Sequence, residues 1–389
     1  MNHVATTQIH EHAEFIMRNT NDIPAKVTLP DGHRANRAKA EVLREAYRLH
    51  HRMEVHAKEA RSVSAPQPKP GQRQLFDPTE LENKKAALAD LSGDNQKSLR
   101  KIFEKLEEEG PFRNVAQAPA PEVLDILRKD FPNFNAVTQS IQKHLLLCRL
   151  GPERLLKTPA ILVNGPPGIG KSAYCSRLAK LLGIRFEQID MSAGGATFTM
   201  TGLDAGYNSG HPGRIWESLQ FGSLSVLWQL DEVEKCSQEG RDRGNQYLLG
   251  LLEPSTAKRF IDNSTLLPLN ASWILYIATS NVKELIDAPL LSRFEVFDIE
   301  APQGEQLKAV VLSIHRGLVE SEPWAQTFDD HLDQSLIDAL STYSPREIRR
   351  HLIDAFANAA SDGRNYLLAS DVACPSEPPE ASDRRIGFI

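Results

Sequence analysis

The stretch Ile161-Leu-Val-Asn-Gly165-Pro166-Pro167-Gly168-Ile169-Gly170-Lys171-Ser172-Ala173-Tyr174 decides how this chain folds. A short apolar run stops at a turn of glycines and prolines, and a helical pattern starts at Lys171. The spacing fits G-x-x-x-x-G-K-[ST] in its required context, a strand before and a helix after. Glycines let successive backbone N–H groups turn inward and cradle phosphate oxygens at a helix N-terminus. Gly165, Pro166, Pro167, Gly168, Ile169, Gly170, Lys171, Ser172 and Ala173 therefore read as a phosphate-binding loop for a nucleoside triphosphate. Lys171 is expected to reach the β- and γ-phosphates, and the Ser172 hydroxyl to ligate Mg²⁺. Further on, Ser225-Val-Leu-Trp-Gln-Leu230-Asp231-Glu232 is an apolar strand ending on two carboxylates. Asp231 is placed to hold the metal, and Glu232 to orient and deprotonate an attacking water.

Composition bounds the surroundings of this site. A chain of 389 residues makes two to three domains at about 150 residues each. Lys plus Arg is 45 and Asp plus Glu 51, a net charge of −6, which excludes a uniformly basic nucleic-acid coat. The four cysteines, Cys148, Cys175, Cys236 and Cys374, are too scattered for a disulfide framework or a zinc knuckle. The early histidines His10, His12, His50, His51 and His56 do not form a metal set either. No apolar run is long enough to cross a membrane, and the first residues lack a signal-peptide pattern, so a cytoplasmic location is expected.

Four zones emerge from composition. Residues 1–120 are polar and proline-broken, with a basic helix expected over Arg34 to Arg61, a linker at Ser62 to Gly71 and a second helix from Pro78 to Glu109. This zone is expected to be a helical, partly disordered region for partners or substrates. Residues 121–301 alternate short apolar runs with helical patterns, the signature of a parallel sheet flanked by helices. Residues 302–373 are helical only, a small lid domain. Residues 374–389 read as a flexible tail.

Further motifs occur in fixed order: His211-Pro-Gly-Arg214, Asp231-Glu-Val-Glu-Lys235, Leu251-Leu-Glu-Pro254, Ala278-Thr-Ser-Asn281 and Ala288-Pro-Leu-Leu-Ser-Arg293-Phe-Glu-Val296. With the phosphate loop, they make the stretch from Leu124 to Ala360 resemble the AAA+ ATPases and, within them, the ATPase module of the Lon-type proteases. The resemblance implies an α/β P-loop NTPase fold with a C-terminal helical lid, here with a helical N-terminal extension. It implies hydrolysis of ATP to ADP and phosphate with Mg²⁺. By position, Asn281 matches the polar sensor that places the lytic water. Arg293 matches the arginine finger that reaches a neighbouring subunit's site, and Arg346 the second sensor in the lid, with Arg349 and Arg350 competing one turn later. A finger acting across an interface implies a ring of identical copies, six in the family norm.

Tyr207, in Gly206-Tyr-Asn-Ser-Gly-His-Pro-Gly213, falls on the family's substrate-gripping pore-loop aromatic, which implies a protein substrate. The preceding Leu203-Asp-Ala-Gly206 lacks the basic residues usual there. Little sequence comes after Ala373, so no Ser–Lys peptidase domain is expected. Ile386-Gly-Phe388-Ile389 is similar to tails that dock AAA+ unfoldases onto separate peptidases, with a plain frayed end as the alternative. The expected function is protein remodelling or unfolding. Two alternatives stay open: a nucleic-acid motor or loader using the basic helix, and a nucleotide-dependent assembly switch.

Overall fold

Strands covered on both faces read as nearly continuous apolar runs, and Val226–Asp231 and Leu275–Ser280 are buried along almost their whole length. In the computed structural model, the described residues are 67–88, 94–192, 196–204, 210–220, 222–237 and 244–372. The chain divides into two units, Met1–Gln67 and Pro68–Ile389, and the second contains the sheet, the phosphate loop and the lid. The Arg34–Arg61 helix, the early histidines, Tyr207 and the tail ending Ile386-Gly-Phe388-Ile389 lie outside the described residues.

In chain order the strands are β1 Gln72–Gln74, β2 Phe112–Asn114, β3 Ile161–Asn164, β4 Arg185–Asp190, β5 Val226–Asp231, β6 Phe260–Ile261, β7 Pro268–Leu269, β8 Leu275–Ser280 and β9 Glu295–Asp298. The helices of seven or more residues are α1 Pro78–Leu88, α2 Asp94–Glu109, α3 Asn135–Leu150, α4 Lys171–Leu182, α5 Arg214–Gln220, α6 Gly244–Leu252, α7 Glu305–Ser321, α8 Gln334–Leu340 and α9 Pro345–Ser361. Five strands form a parallel sheet in the order β4-β5-β8-β3-β9. β1 with β2, and β6 with β7, make two small antiparallel ribbons.

Side chains alternate across a sheet with period 2, and the central strands divide between two cores accordingly. Leu162, Val226, Trp228, Leu230, Tyr276 and Ala278 pack on one face with Trp216 and Phe103. Ile161, Val163, Leu227, Leu275 and Ile277 pack on the other, against Tyr174, Cys175 and Leu178 of α4. Asp231 comes four residues after Leu227, so it stands on the α4 side. That parity places the carboxylate beside the phosphate loop.

Residues 68–120 are not separate from the α/β region. Leu75, Phe76, Leu81, Phe103, Leu106 and Val115 enter the same core as Trp228, so the compact unit begins at Pro68 rather than near residue 121. The single helix expected from Pro78 to Glu109 is two, α1 and α2, and Ser92-Gly93 falls in the sequence between them. The lid has its own core of Val311, Leu318, Leu336, Leu340, Ile348, Leu352 and Phe356. Its helix α9 starts at a capping box in which Ser344 and Glu347 satisfy each other's backbone N–H, with Pro345 at the first helical position. Among the described residues no helix is long and apolar enough to cross a membrane.

Candidate active site

The loop between β3 and α4 needs its glycines for two different reasons. A Cβ on Gly165 would lie 2.3 Å from the Ile299 carbonyl oxygen, far inside contact distance, so only glycine lets the loop leave the sheet there. Gly168 and Gly170 have φ of +81° and +100°, where a Cβ is strained. Gly170 stands immediately before α4, whose first-turn N–H groups have no intrahelical acceptors. A Cβ on Gly168 would sit 3.5 Å from Arg346 Cβ of the lid.

Register aligns the ends of the strands. Asn164 of β3 lies opposite Ser280 of β8, and Asp190 of β4 opposite Asp231 of β5. In open α/β sheets, ligands bind in the crevice beyond the carboxyl ends of the strands. A cavity of about 790 Å³ lies there, lined by loop residues 167–173 together with Asp231, Glu232, Asn281, Arg346 and Arg349. Gly165 and Pro166 are not among its lining residues; their carbonyls accept from Lys171 Nζ at 2.5 and 3.2 Å. The ammonium also reaches the Ser280 carbonyl at 3.2 Å and Asn281 Oδ1 at 2.8 Å. Burial lowers the Lys171 pKa, opposed by Asp231, Glu234 and Glu232.

The acidic pair is held from several sides. The Thr279 hydroxyl donates to Asp231 Oδ1, and Gln188 Nε2 to Oδ2 at 3.0 Å. Glu232 adopts φ +54°, a left-handed conformation that costs a residue with a Cβ about 1–2 kcal/mol. Its side chain stands on the cavity wall. Buried Glu234 accepts the Asn281 backbone N–H at 3.0 Å. Ser172 Oγ receives Gln229 Nε2 at 2.8 Å.

Lid and α/β region meet across the cavity. Asp130, at the end of the short helix Asp125–Asp130, is 5 % exposed. Arg316 of α7 donates to its Oδ1 at 2.8 Å, and Arg177 of α4 stands 3.6 Å from Oδ2. Arg177 and Lys180 pair in turn with Glu320 of α7 at 3.3 and 3.7 Å. Phe131, Asp130, Arg177, Arg316 and Glu320 all line the cavity, and sequence reading identifies none of them. They come from three distant segments that only folding brings together. Gln229 does carry a signal, as the one amide inside an apolar strand.

Arg293 does not line this cavity. Its Nη1 donates to the Pro289 carbonyl at 2.7 Å, and its buried Nε has no partner. Of the competing arginines, Arg349 joins Arg346 at the cavity and Arg350 does not. After Tyr207 in the chain, Gly213 N donates to Asp262 at 2.7 Å, and the same carboxylate accepts from Ser264 N at 2.9 Å and Thr265 N at 3.1 Å. Burial pushes the Asp262 carboxyl up to about 6, against the pull of these donors and of His211.

Among the described residues no cluster of three or more His, Cys, Asp or Glu forms a metal site. The donors at the loop are instead one hydroxyl and one carboxylate, Ser172 and Asp231. That all-oxygen set fits Mg²⁺, which is commonly held by one or two protein oxygens together with phosphates and water.

A five-stranded parallel sheet, a glycine loop feeding a helix, an acidic strand end and a helical lid define an α/β P-loop NTPase. Residues 161–300 match the family "ATPase family associated with various cellular activities (AAA)". It is 31% identical to a Lon protease of Nitrosococcus oceani over 47% of this chain and 23% of that protein. With Lon protease 2 of Syntrophobacter fumaroxidans it shares 27% over 60% and 30% of the two chains, and with a peroxisomal Lon protease homolog 2 of Oryza sativa 29% over 58% and 25%. The chain thus spans about a quarter of the length of these relatives. Its fold is similar to that of S. cerevisiae Hsp104 in a casein complex, with TM-score 0.52 and 15% identity over 74% of this chain and 57% of that one.

Proposed function

We propose that this protein hydrolyses ATP and uses the cycle to remodel or unfold a protein substrate, acting as a ring of identical copies, six in number. The observation that carries the hydrolytic part is the convergence of Lys171, Ser172, Asp231, Glu232, Asn281 and Arg346 on one cavity roofed by the lid. The remodelling part rests on relationship to Lon proteases and on the fold shared with Hsp104.

Lys171 exchanges its neutral carbonyl acceptors for β- and γ-phosphate oxygens, which bind an ammonium more strongly. Ser172 and Asp231 would hold Mg²⁺, which would supply charge neutralisation at the phosphate oxygens. Glu232 takes a proton from a water as that water's oxygen bonds to the γ-phosphorus and the bond to ADP breaks. Asn281 orients the water, its backbone pinned by Glu234. Arg346 senses the γ-phosphate from the lid, so ATP and ADP favour different lid positions. Arg293, outside its own cavity, serves the site of the neighbouring copy. Tyr207 grips the substrate by non-specific packing.

The test is ATP turnover and oligomer size measured together. Glu232→Gln should retain ATP while turnover falls at least 10²-fold, at the lower end of the effect of a general base. Arg293→Ala should abolish turnover in a ring that still binds ATP, and adding subunits that are Glu232→Gln but carry Arg293 should restore part of it. Full turnover by a monomeric Arg293→Ala protein would overturn the ring reading.

A further inference from the structure

Gln229 is out of place in its strand. Val226, Leu227, Trp228 and Leu230 around it are apolar and buried, and Gln229 itself is 0 % exposed. An amide in such a setting costs about 1–3 kcal/mol for each polar group left unpaired, so an aliphatic residue is the expected occupant. Its Oε1 has no partner. Its Nε2 has one, the Ser172 hydroxyl at 2.8 Å.

Parity explains the reach. Positions 227, 229 and 231 share the sheet face under α4, so the amide lies between Leu227 in the core and Asp231 at the cavity. Ser172, the second residue of α4, lies in the helix's first turn. A serine hydroxyl has one proton and two lone pairs and rotates to suit its surroundings. In a helix it tends to turn back and donate to the carbonyl of the preceding turn. An amide fixed in the sheet removes that freedom by donating into one lone pair and leaving the other available. The reverse orientation of the amide, with Oε1 accepting the hydroxyl proton, restrains the same oxygen.

We propose that Gln229 is a positioning residue for the metal ligand: it locks the Ser172 hydroxyl so that its free lone pair serves Mg²⁺, and thereby sets how much magnesium nucleotide binding requires. The proposal rests on the nucleotide-and-magnesium reading of this cavity. Gln188 holds Asp231 by an analogous bond, but from an exposed position where water can replace it. Gln229 has no such substitute.

The test is the affinity of a fluorescent ATP analogue in EDTA and across a magnesium titration. Gln229→Met keeps the length and removes the amide, and Gln229→Leu provides a second apolar replacement should methionine pack poorly. Each should raise the half-saturating magnesium concentration about three- to tenfold, the range for one lost hydrogen bond. The dissociation constant in EDTA should move less than about twofold, and the thermal midpoint should not fall. In a Ser172→Ala background the same replacements should have no further effect on the magnesium requirement. Equal weakening with and without magnesium, or a magnesium shift that persists without the Ser172 hydroxyl, would overturn the proposal. Lys171→Ala separates the two levels: unaltered analogue binding there would refute the nucleotide reading itself.

Discussion

Asp130→Asn should loosen the lid without unfolding the α/β region. The native carboxylate receives a charge-assisted bond from Arg316 at 2.8 Å and a longer contact from Arg177 at 3.6 Å. A bond to a charged group contributes about 1.5–3 kcal/mol, a neutral one about 0.5–1.5. The amide keeps the shape and one acceptor, so the loss is about 1 kcal/mol from Arg316. The Arg316 side chain is 55% exposed, which holds the figure at the low end. Arg177 adds a few tenths at most, because it retains Glu320. A loss of about 1–1.4 kcal/mol lowers the ratio of docked to undocked lid about five- to tenfold. Amide hydrogen exchange reads that ratio directly: protection in α7 should fall about five- to tenfold, while β5 and β8 stay as protected as before. Raising the salt should bring the native protein toward the variant, since the contact is partly screened. Unchanged exchange in α7, or equal loss in α7 and β5, would refute the idea that this carboxylate ties the lid down.

Gly165→Ala must push a methyl group against the Ile299 carbonyl, so it should cost at least about 2 kcal/mol in urea unfolding, with the nucleotide affinity lost as well. Trp228→Ala should destabilise by about 3–5 kcal/mol by the same measurement, yet leave ATP-analogue affinity unaltered, because the indole lies on the sheet face away from α4. Asp262 is a group whose folded pKa is raised, to about 6, so the folded state holds its proton more tightly than the unfolded one. Its contribution is therefore favourable at low pH and lost as the pH climbs from about 4 to 6, a change on the order of 2–3 kcal/mol. The native protein should lose stability relative to Asp262→Asn over that window; parallel curves of unfolding free energy against pH would contradict this.

The glycine loop is legible in the sequence because its pattern is local: eight consecutive positions, Gly165 to Ser172, carry the turn, the positive-φ glycines and the Lys171 and Ser172 side chains. The acidic pair is legible because a buried strand announces itself by composition and ends where polarity returns. The start of the compact unit is not, since Leu75, Phe76 and Phe103 sit in a polar, charge-rich zone and declare themselves only by packing against Trp216 and Trp228. The ion network at the lid escapes for a related reason. Asp130, Arg177 and Arg316 are ordinary surface types in sequence, and nothing but the closure of α7 over α4 makes them neighbours. Arg293 is identified from resemblance, and its place outside the cavity, with Nη1 on the Pro289 carbonyl, becomes visible only in the fold.

The two-sidedness of β5 has a practical corollary. Odd positions 227, 229 and 231 lie on the side of α4, and even positions 226, 228 and 230 in the core with Trp216 and Phe103. One six-residue segment thus carries two nearly independent inheritances, robustness on one side and reactivity on the other. Replacements at Trp228 and Leu230 are therefore expected to change stability more than nucleotide binding, and replacements at Gln229 the reverse.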